Sequence, residues 1–211
     1  MNTTALFGLT YGLYIISAKE KQKINGCIVN TVLQITAEPE RLICVIHKGS
    51  LTHDMIVHTG RFNVSILAKD TPMETVALFG FRSGRDLDKF AKFPFDIDEA
   101  GIPYLRQNST GMLSCHVVDT VDAGTHTIFI AEIMEDLVFD EREPLDYTYY
   151  RSVKNGKVPK EASSFHAPKE PQKRGWRCTV CGYIYEGEQL PPEFLCPLCG
   201  QSSSVFEKLT S

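Results

Sequence analysis

No stretch of this 211-residue sequence is apolar for long enough to cross a bilayer. The longest apolar segments, such as Tyr11–Ile16, fall far short of the roughly 20 residues a spanning helix needs. The opening residues Met1-Asn2-Thr3-Thr4 lack the basic segment of a secretory signal, so a cytoplasmic protein with no membrane association is expected. No G-x-G-x-x-G motif occurs, and strands and helices do not alternate regularly, which argues against a Rossmann dinucleotide-binding unit. Internal repeats and low-complexity tracts are absent. Charge of either sign is nearly balanced: 22 Lys and Arg against 26 Asp and Glu leave a net −4. That balance gives no electrostatic drive toward nucleic acid or an anionic membrane.

What is present is an ordinary globular composition, with 43% hydrophobic and 23% charged residues. Segments rich in β-branched and aromatic residues predict strands at Tyr11–Ser17, Arg41–His47, Phe62–Leu67, Met112–Val118, His126–Phe139 and Asp146–Tyr150. Apolar spacings of three and four predict helices at Leu51–Thr59, Met73–Phe79 and Arg85–Phe93. Many short strands with few helices point to a mainly β barrel or sandwich. Charge is unevenly distributed along the chain. Residues 151–174 carry a net +5, residues 175–211 a net −2, and residues 1–150 a net −7. The basic stretch contains Pro159, Pro168 and Pro171 and reads as a tether. We therefore expect a first domain over 1–165, a linker over 166–174 and a second domain over 175–211.

Four of the seven cysteines form two C-x-x-C knuckles, Cys178/Cys181 and Cys196/Cys199, separated by the fourteen residues 182–195. Without an export signal such pairs read as metal ligands rather than disulfides. Four thiolates make a tetrahedral site suited to iron or zinc. Gly182 and Gly200 follow the second cysteine of each knuckle, allowing a sharp turn that aims backbone N–H groups at the sulfurs. The spacing alone also fits a structural zinc ribbon. Trp176, Tyr183, Tyr185, Phe194 and Phe206 can wrap the metal in an apolar shell, in a segment too small to build a core without it.

In the first domain, Lys48-Gly49-Ser50-Leu51-Thr52-His53 marks a strand-to-helix turn. Ser50 is a natural N-cap there, and a helix start beside Lys48 is a ready anion site. The bland reading is a capped helix. His53 and His58 lie five apart and share no helix face, so neither is assigned a metal. Cys27, Cys44 and Cys115 are expected to fill small apolar gaps.

The run Trp176-Arg177-Cys178-Thr179-Val180-Cys181-Gly182-Tyr183-Ile184-Tyr185-Glu186, with Pro191-Pro192, Cys196-Pro197-Leu198-Cys199-Gly200 and Phe206-Glu207, resembles rubredoxins. Its inter-knuckle loop is shorter than theirs and closer to the rubrerythrin type. Residues 4–165 resemble the flavin reductase-like family. The likeness rests on Asn25 to Val32, the Lys48 turn, Phe79 to Phe90, Ala123-Gly124-Thr125-His126 to Glu132, and Pro144 to Arg151, in that order along the chain. This second resemblance implies an FMN-binding split β-barrel of Greek-key type with a few helices. It places the flavin phosphate at Lys48, Ser50 and Thr52, and the ring against Asn30, Thr31 and Val32. His126 would stand beside the ring as the catalytic residue, with Ser83 and Arg85 in the same cleft. The fusion resembles the high-molecular-weight rubredoxins. That implies NAD(P)H as substrate, FMN and one iron per four-cysteine site as cofactors, a flavodiiron or other redox protein as partner, and a homodimer. The alternative is a non-enzymatic flavin-binding barrel with a zinc ribbon for protein contacts.

Overall fold

The computed structural model describes residues 4–91, 93–152, 162–164 and 175–209; the expected linker 166–174 lies outside the described residues. The first part is strand-rich. β1 (Tyr14–Glu20), β2 (Lys23–Val29), β3 (Val32–Ala37) and β4 (Glu40–His47) precede helix α1 (Leu51–Thr59). β5 (Arg61–Leu67), α2 (Met73–Phe81), a small ribbon of β6 (Asp96–Ile97) and β7 (Pro103–Tyr104), long β8 (Ser109–Asp122), β9 (His126–Val138) and α3 (Tyr147–Ser152) follow.

Seven of these strands form one antiparallel ladder in the order β2-β1-β5-β8-β9-β4-β3. Laid flat, six strand spacings of about 4.8 Å would put its edges about 29 Å apart. Yet the edge strands β2 and β3 are consecutive, joined only by Asn30 and Thr31. Three Cα steps reach at most about 11 Å. The sheet must therefore curl until the end of β2 meets the start of β3, although the two strands do not pair. The mainly β, split-barrel expectation holds.

Inside the barrel, Ile16, Leu42, Ile46, Phe62 and Phe129 form one core that Met55 and Ile56 of α1 complete. A second core gathers Phe79, Phe90, Leu67, Leu105, Tyr147 and Tyr150 beneath α2 and α3. Cys44 and Cys115 are buried in the first core, as gap-filling cysteines would be, while Cys27 is only half-buried.

Two expected elements are corrected. Residues 85–91 form turns rather than the start of a helix at Arg85–Phe93. Asp88 Oδ1 accepts the Phe90 N–H at 2.9 Å, a donor that a helix would have used. Phe90 and Phe93 instead turn inward onto Phe79, with ring centroids 5.2 and 5.9 Å away. The strand expected at Asp146–Tyr150 is the start of α3. Asp146 Oδ1 accepts the Tyr149 N–H at 2.8 Å as an N-cap, and Tyr147 and Tyr150, three apart, bury one helical face. Gly26 stands inside β2 opposite Ser17, because a Cβ there would lie 3.1 Å from the Phe79 ring.

The second part is a three-stranded sheet, β11-β10-β12, of β10 (Gly175–Cys178), β11 (Ile184–Tyr185) and β12 (Phe206–Leu209). Phe194 packs on Tyr185 and Phe206 at 4.8 and 5.5 Å, supplying the expected aromatic shell.

Lys89 is buried, its ammonium donating to the carbonyls of Gly26 at 2.9 Å and Phe79 at 3.1 Å. Burial lowers its pKa from 10.5 to about 8, opposed by Cys27. The unfolded chain therefore binds more protons than the native one between pH 8 and 10.5, and this group's contribution to stability rises with pH across that window. Urea unfolding of the native protein and of Lys89→Met at about pH 7.5 and about pH 10 should show native stability gaining on the variant at the higher pH. A pH-independent difference would mean that Lys89 is not desolvated in the native state.

Candidate functional site

The seam of the barrel opens into a cleft of about 750 Å3, within the roughly 300–1,000 Å3 of small-molecule sites. Asn25, Cys27 and Asn30 line it from β2 and the two-residue join. His47, Gly49 and Ser50 line it from the end of β4 and the start of α1, and Phe81, Arg82 and Ser83 from the end of α2. His126, Tyr147 and Tyr150 complete the barrel side.

Ser50 is the N-cap of α1 in extended conformation, but its side chain makes no cap hydrogen bond. The helix start is left to the cleft. Gly49 N–H donates to His47 Nδ1 at 3.0 Å, and the His47 ring stands edge-on to His126 with centroids 5.1 Å apart. The His126 Nδ1 lies 2.8 Å from the Thr125 hydroxyl.

Of the residues singled out from the sequence, Asn30, Ser50, Ser83 and His126 face the cleft, and Lys48, Thr31, Val32, Thr52 and Arg85 do not line it. Thr52 is fully buried and accepts from Asn25 Nδ2 at 2.9 Å, tying α1 to β2. Lys48 pairs with Asp122 at 2.7 Å, and Arg85 with Asp54 at 2.6 Å. Thr31 bonds Asn30 Oδ1 at 3.2 Å and Ser163 at 3.0 Å. Val32 packs against the barrel core.

Sequence reasoning missed the short return segment at Ser163 and Ser164. Asn30 Nδ2 donates to Ser164 Oγ at 2.6 Å, and the Tyr147 hydroxyl lies 2.9 Å from the same oxygen. No spacing in the sequence points to this long-range contact. The cleft's Cys27 and Lys89 were also missed as lining residues; a charged Lys89 in an aromatic-rich stretch was the available signal.

The remaining wall comes from the second part of the chain: Arg177, Thr179, Val180, Cys181, Gly182 and Glu207. The sulfurs of Cys178, Cys181, Cys196 and Cys199 all lie within 4.8 Å of one another, the cysteine group among the described residues that can hold a metal ion. Cys181 and Cys196 sulfurs are 3.4 Å apart, and Cys178 and Cys199 sulfurs 3.6 Å. Disulfide sulfurs would be about 2.05 Å apart. Sulfurs about 2.3 Å from a central ion stand about 3.8 Å apart at the corners of a tetrahedron, so the set fits a metal. Burial pushes the Cys181 thiol up and the Cys199 thiol up to about 12. Burial would raise Cys196 too, yet the N–H groups of Cys199 and Leu198 aimed at its sulfur bring it down. Four thiolates in this space need a central cation.

With that geometry in view, the similarities to known proteins are consistent with one another. The flavin reductase like domain matches residues 6–156, and the rubrerythrin, rubredoxin-like domain matches residues 176–207. The high molecular weight rubredoxin of Moorella thermoacetica is 39% identical over 99% of this chain and 100% of its own. The ferric-chelate reductase (NAD(P)H) of Archaeoglobus fulgidus is 33% identical over 80% of this chain and 100% of its own. Among solved structures, the NADH:FAD oxidoreductase SgcE6 of Streptomyces globisporus superposes with a TM-score of 0.61 at 20% identity, over 67% of this chain and 84% of the other, a likeness of fold. No helix among the described residues is long and apolar enough to cross a membrane. The chain belongs to the flavin reductase-like family, in the form that carries a C-terminal rubredoxin-like domain as high molecular weight rubredoxin does.

Proposed function

We propose that the chain is a cytoplasmic NAD(P)H-dependent oxidoreductase that passes electrons through FMN to one iron in the four-cysteine site and on to a protein acceptor such as a flavodiiron protein. The observation that carries this reading is the position of the four-cysteine site in the wall of a cleft of cofactor size, with Cys181 itself lining it. The full-length likeness to a high molecular weight rubredoxin and the likeness to a ferric-chelate reductase support it. When bound, a flavin accepts two electrons at once and releases them singly, which matches a one-electron iron site. The residues divide the remaining work. Ser50, with the first N–H groups of α1, holds the phosphate; Thr52 and Asn25 brace that helix from behind, and Lys48 adds positive potential at the turn. Asn30 and Ser83 hydrogen-bond the polar edge of the ring, with Thr31 and Val32 shaping the join and Arg85 anchoring Asp54. His126, steadied by His47 and Thr125, stands beside the ring as a donor. The four cysteines hold the iron.

A homodimer completes the proposal. Edge strand β3 exposes Leu33 and Ile35, and β9 exposes Met134 and Val138. Light scattering on the purified protein should give the mass of two chains; the mass of one would remove the dimer from the reading.

The central test is one preparation measured three ways. Its absorption spectrum should combine flavin bands with iron–thiolate bands, metal analysis should give one iron per chain, and mass analysis of released flavin should give FMN. Zinc in place of iron in protein purified from iron-replete cells would favour the structural ribbon, and FAD would show that the turn at Ser50 has been misassigned. Because Ser50 makes no cap hydrogen bond, Ser50→Ala should leave the melting temperature within about 1 °C, whereas a true cap loss costs about 1 kcal/mol. FMN binding, measured by quenching of flavin fluorescence, should weaken several-fold. Unchanged FMN affinity would take the phosphate away from this turn.

A further inference from the structure

The two knuckles are near copies. Gly182 and Gly200 take φ of +74° and +66°, and each donates its N–H at 2.8 Å to the carbonyl of the first cysteine of its knuckle, Cys178 and Cys196. Their surroundings differ sharply. Thr179, Val180, Cys181 and Gly182 of the first knuckle line the barrel cleft, and no residue of 196–200 does. Met73 and Phe81, at the two ends of α2, pack into the apolar cluster around the four cysteines. Cys181 and Tyr150 of α3 line the same cleft. The second knuckle stands outside the cleft lining, and Leu195 just before it is 62% exposed.

We infer that the first knuckle is a docking surface for this chain's own barrel, seated on α2, and that electrons enter the metal site through Cys181. The inference rests on the electron-transfer reading proposed above and adds to it a direction through the module. Electron tunnelling falls steeply with distance, so the ligand that walls the flavin cleft dominates the path. The electrons balance simply. Each NAD(P)H oxidised to NAD(P)+ supplies two electrons and releases one proton to water, and each Fe(III) reduced to Fe(II) takes one electron, so one donor serves two reductions of the site. Cys199, half-buried and outside the cleft lining, is left to face whatever accepts the electron next.

Apolar groups meet there: half-buried Val180 and Phe81 of α2 line the same cleft, and Met73 and Phe81 pack against the cysteine cluster. A carboxylate placed there would have to be desolvated or the surfaces separated. In the full-length, iron- and FMN-loaded protein, Val180→Asp should lower the ratio of iron reduction to flavin reduction in single-turnover stopped flow at least about tenfold, because an unpaired carboxylate resists desolvation. Hydrogen exchange provides a readout independent of turnover: the amides of α2 should exchange faster in Val180→Asp than in the unmodified protein. Leu195→Asp, at an exposed position outside the cleft lining, should change neither quantity. An unchanged ratio and unchanged exchange in Val180→Asp, with iron and FMN both at full occupancy, would overturn the inference, as would an equal loss in Leu195→Asp. A preparation lacking iron or FMN would instead count against the proposed function, which keeps the two failures distinct.

Discussion

Two residues cannot span seven strands. The Asn30-Thr31 join forces the first and last strands of the ladder together, and almost every feature of the cleft depends on that closure. Curling the sheet brings the end of β2 beside the end of β4, where the chain turns into α1. The Asn25–Thr52 hydrogen bond then fixes the helix start across the seam. Space there is tight: a Cβ at Gly84 would fall 2.0 Å from Asn25 Oδ1, so the loop after α2 can close over this bond only as glycine. Phe79 fills the volume behind it, with Lys89 satisfying the carbonyls that the close approach of α2 and β2 leaves inside.

The C-terminal module is governed by charge rather than by length. Its aromatic rings surround the sulfurs closely enough to make four anions untenable without a cation, while turn N–H groups compensate part of that cost. All four ligands fall between residues 178 and 199, so the barrel lends the site none of its ligands. What the barrel lends is a surface, through Met73 and Phe81.

Legibility from sequence followed the range of the forces involved. The cysteine module was readable because its ligands are close in sequence and their chemistry is narrow. Helix α1 was readable to the residue, since its apolar spacing, Ser50 and Gly60 are all local signals; Gly60 ends it at φ +67°. The segment at Tyr147–Tyr150 misled because aromatic residues favour strands in general, and Asp146 as a cap outweighed that preference here. Strands β2 and β3 were hidden by Gly26, whose place is set by the Phe79 ring, and by the exposure of nearly every position along β3, which leaves no alternation to read. Of the residues that motif order singled out, Ser50, Asn30, Ser83 and His126 line the cleft, whereas Thr52, Lys48 and Arg85 have buried or ion-paired partners that no local pattern encodes. The Ser163–Ser164 contact, 133 and 134 residues from Asn30, is the extreme case.

The presence of Cys181 in the cleft wall has a kinetic consequence. A free carrier protein meets its reductase by diffusion, at a rate proportional to the concentrations of both. A carrier held on the same chain meets it at an effective concentration set by the tether, typically millimolar, whatever the amount of protein in the cell. On the proposed reading, dilution that would starve a two-protein relay leaves this internal encounter unchanged, while the encounters with NAD(P)H and with an external acceptor stay second order.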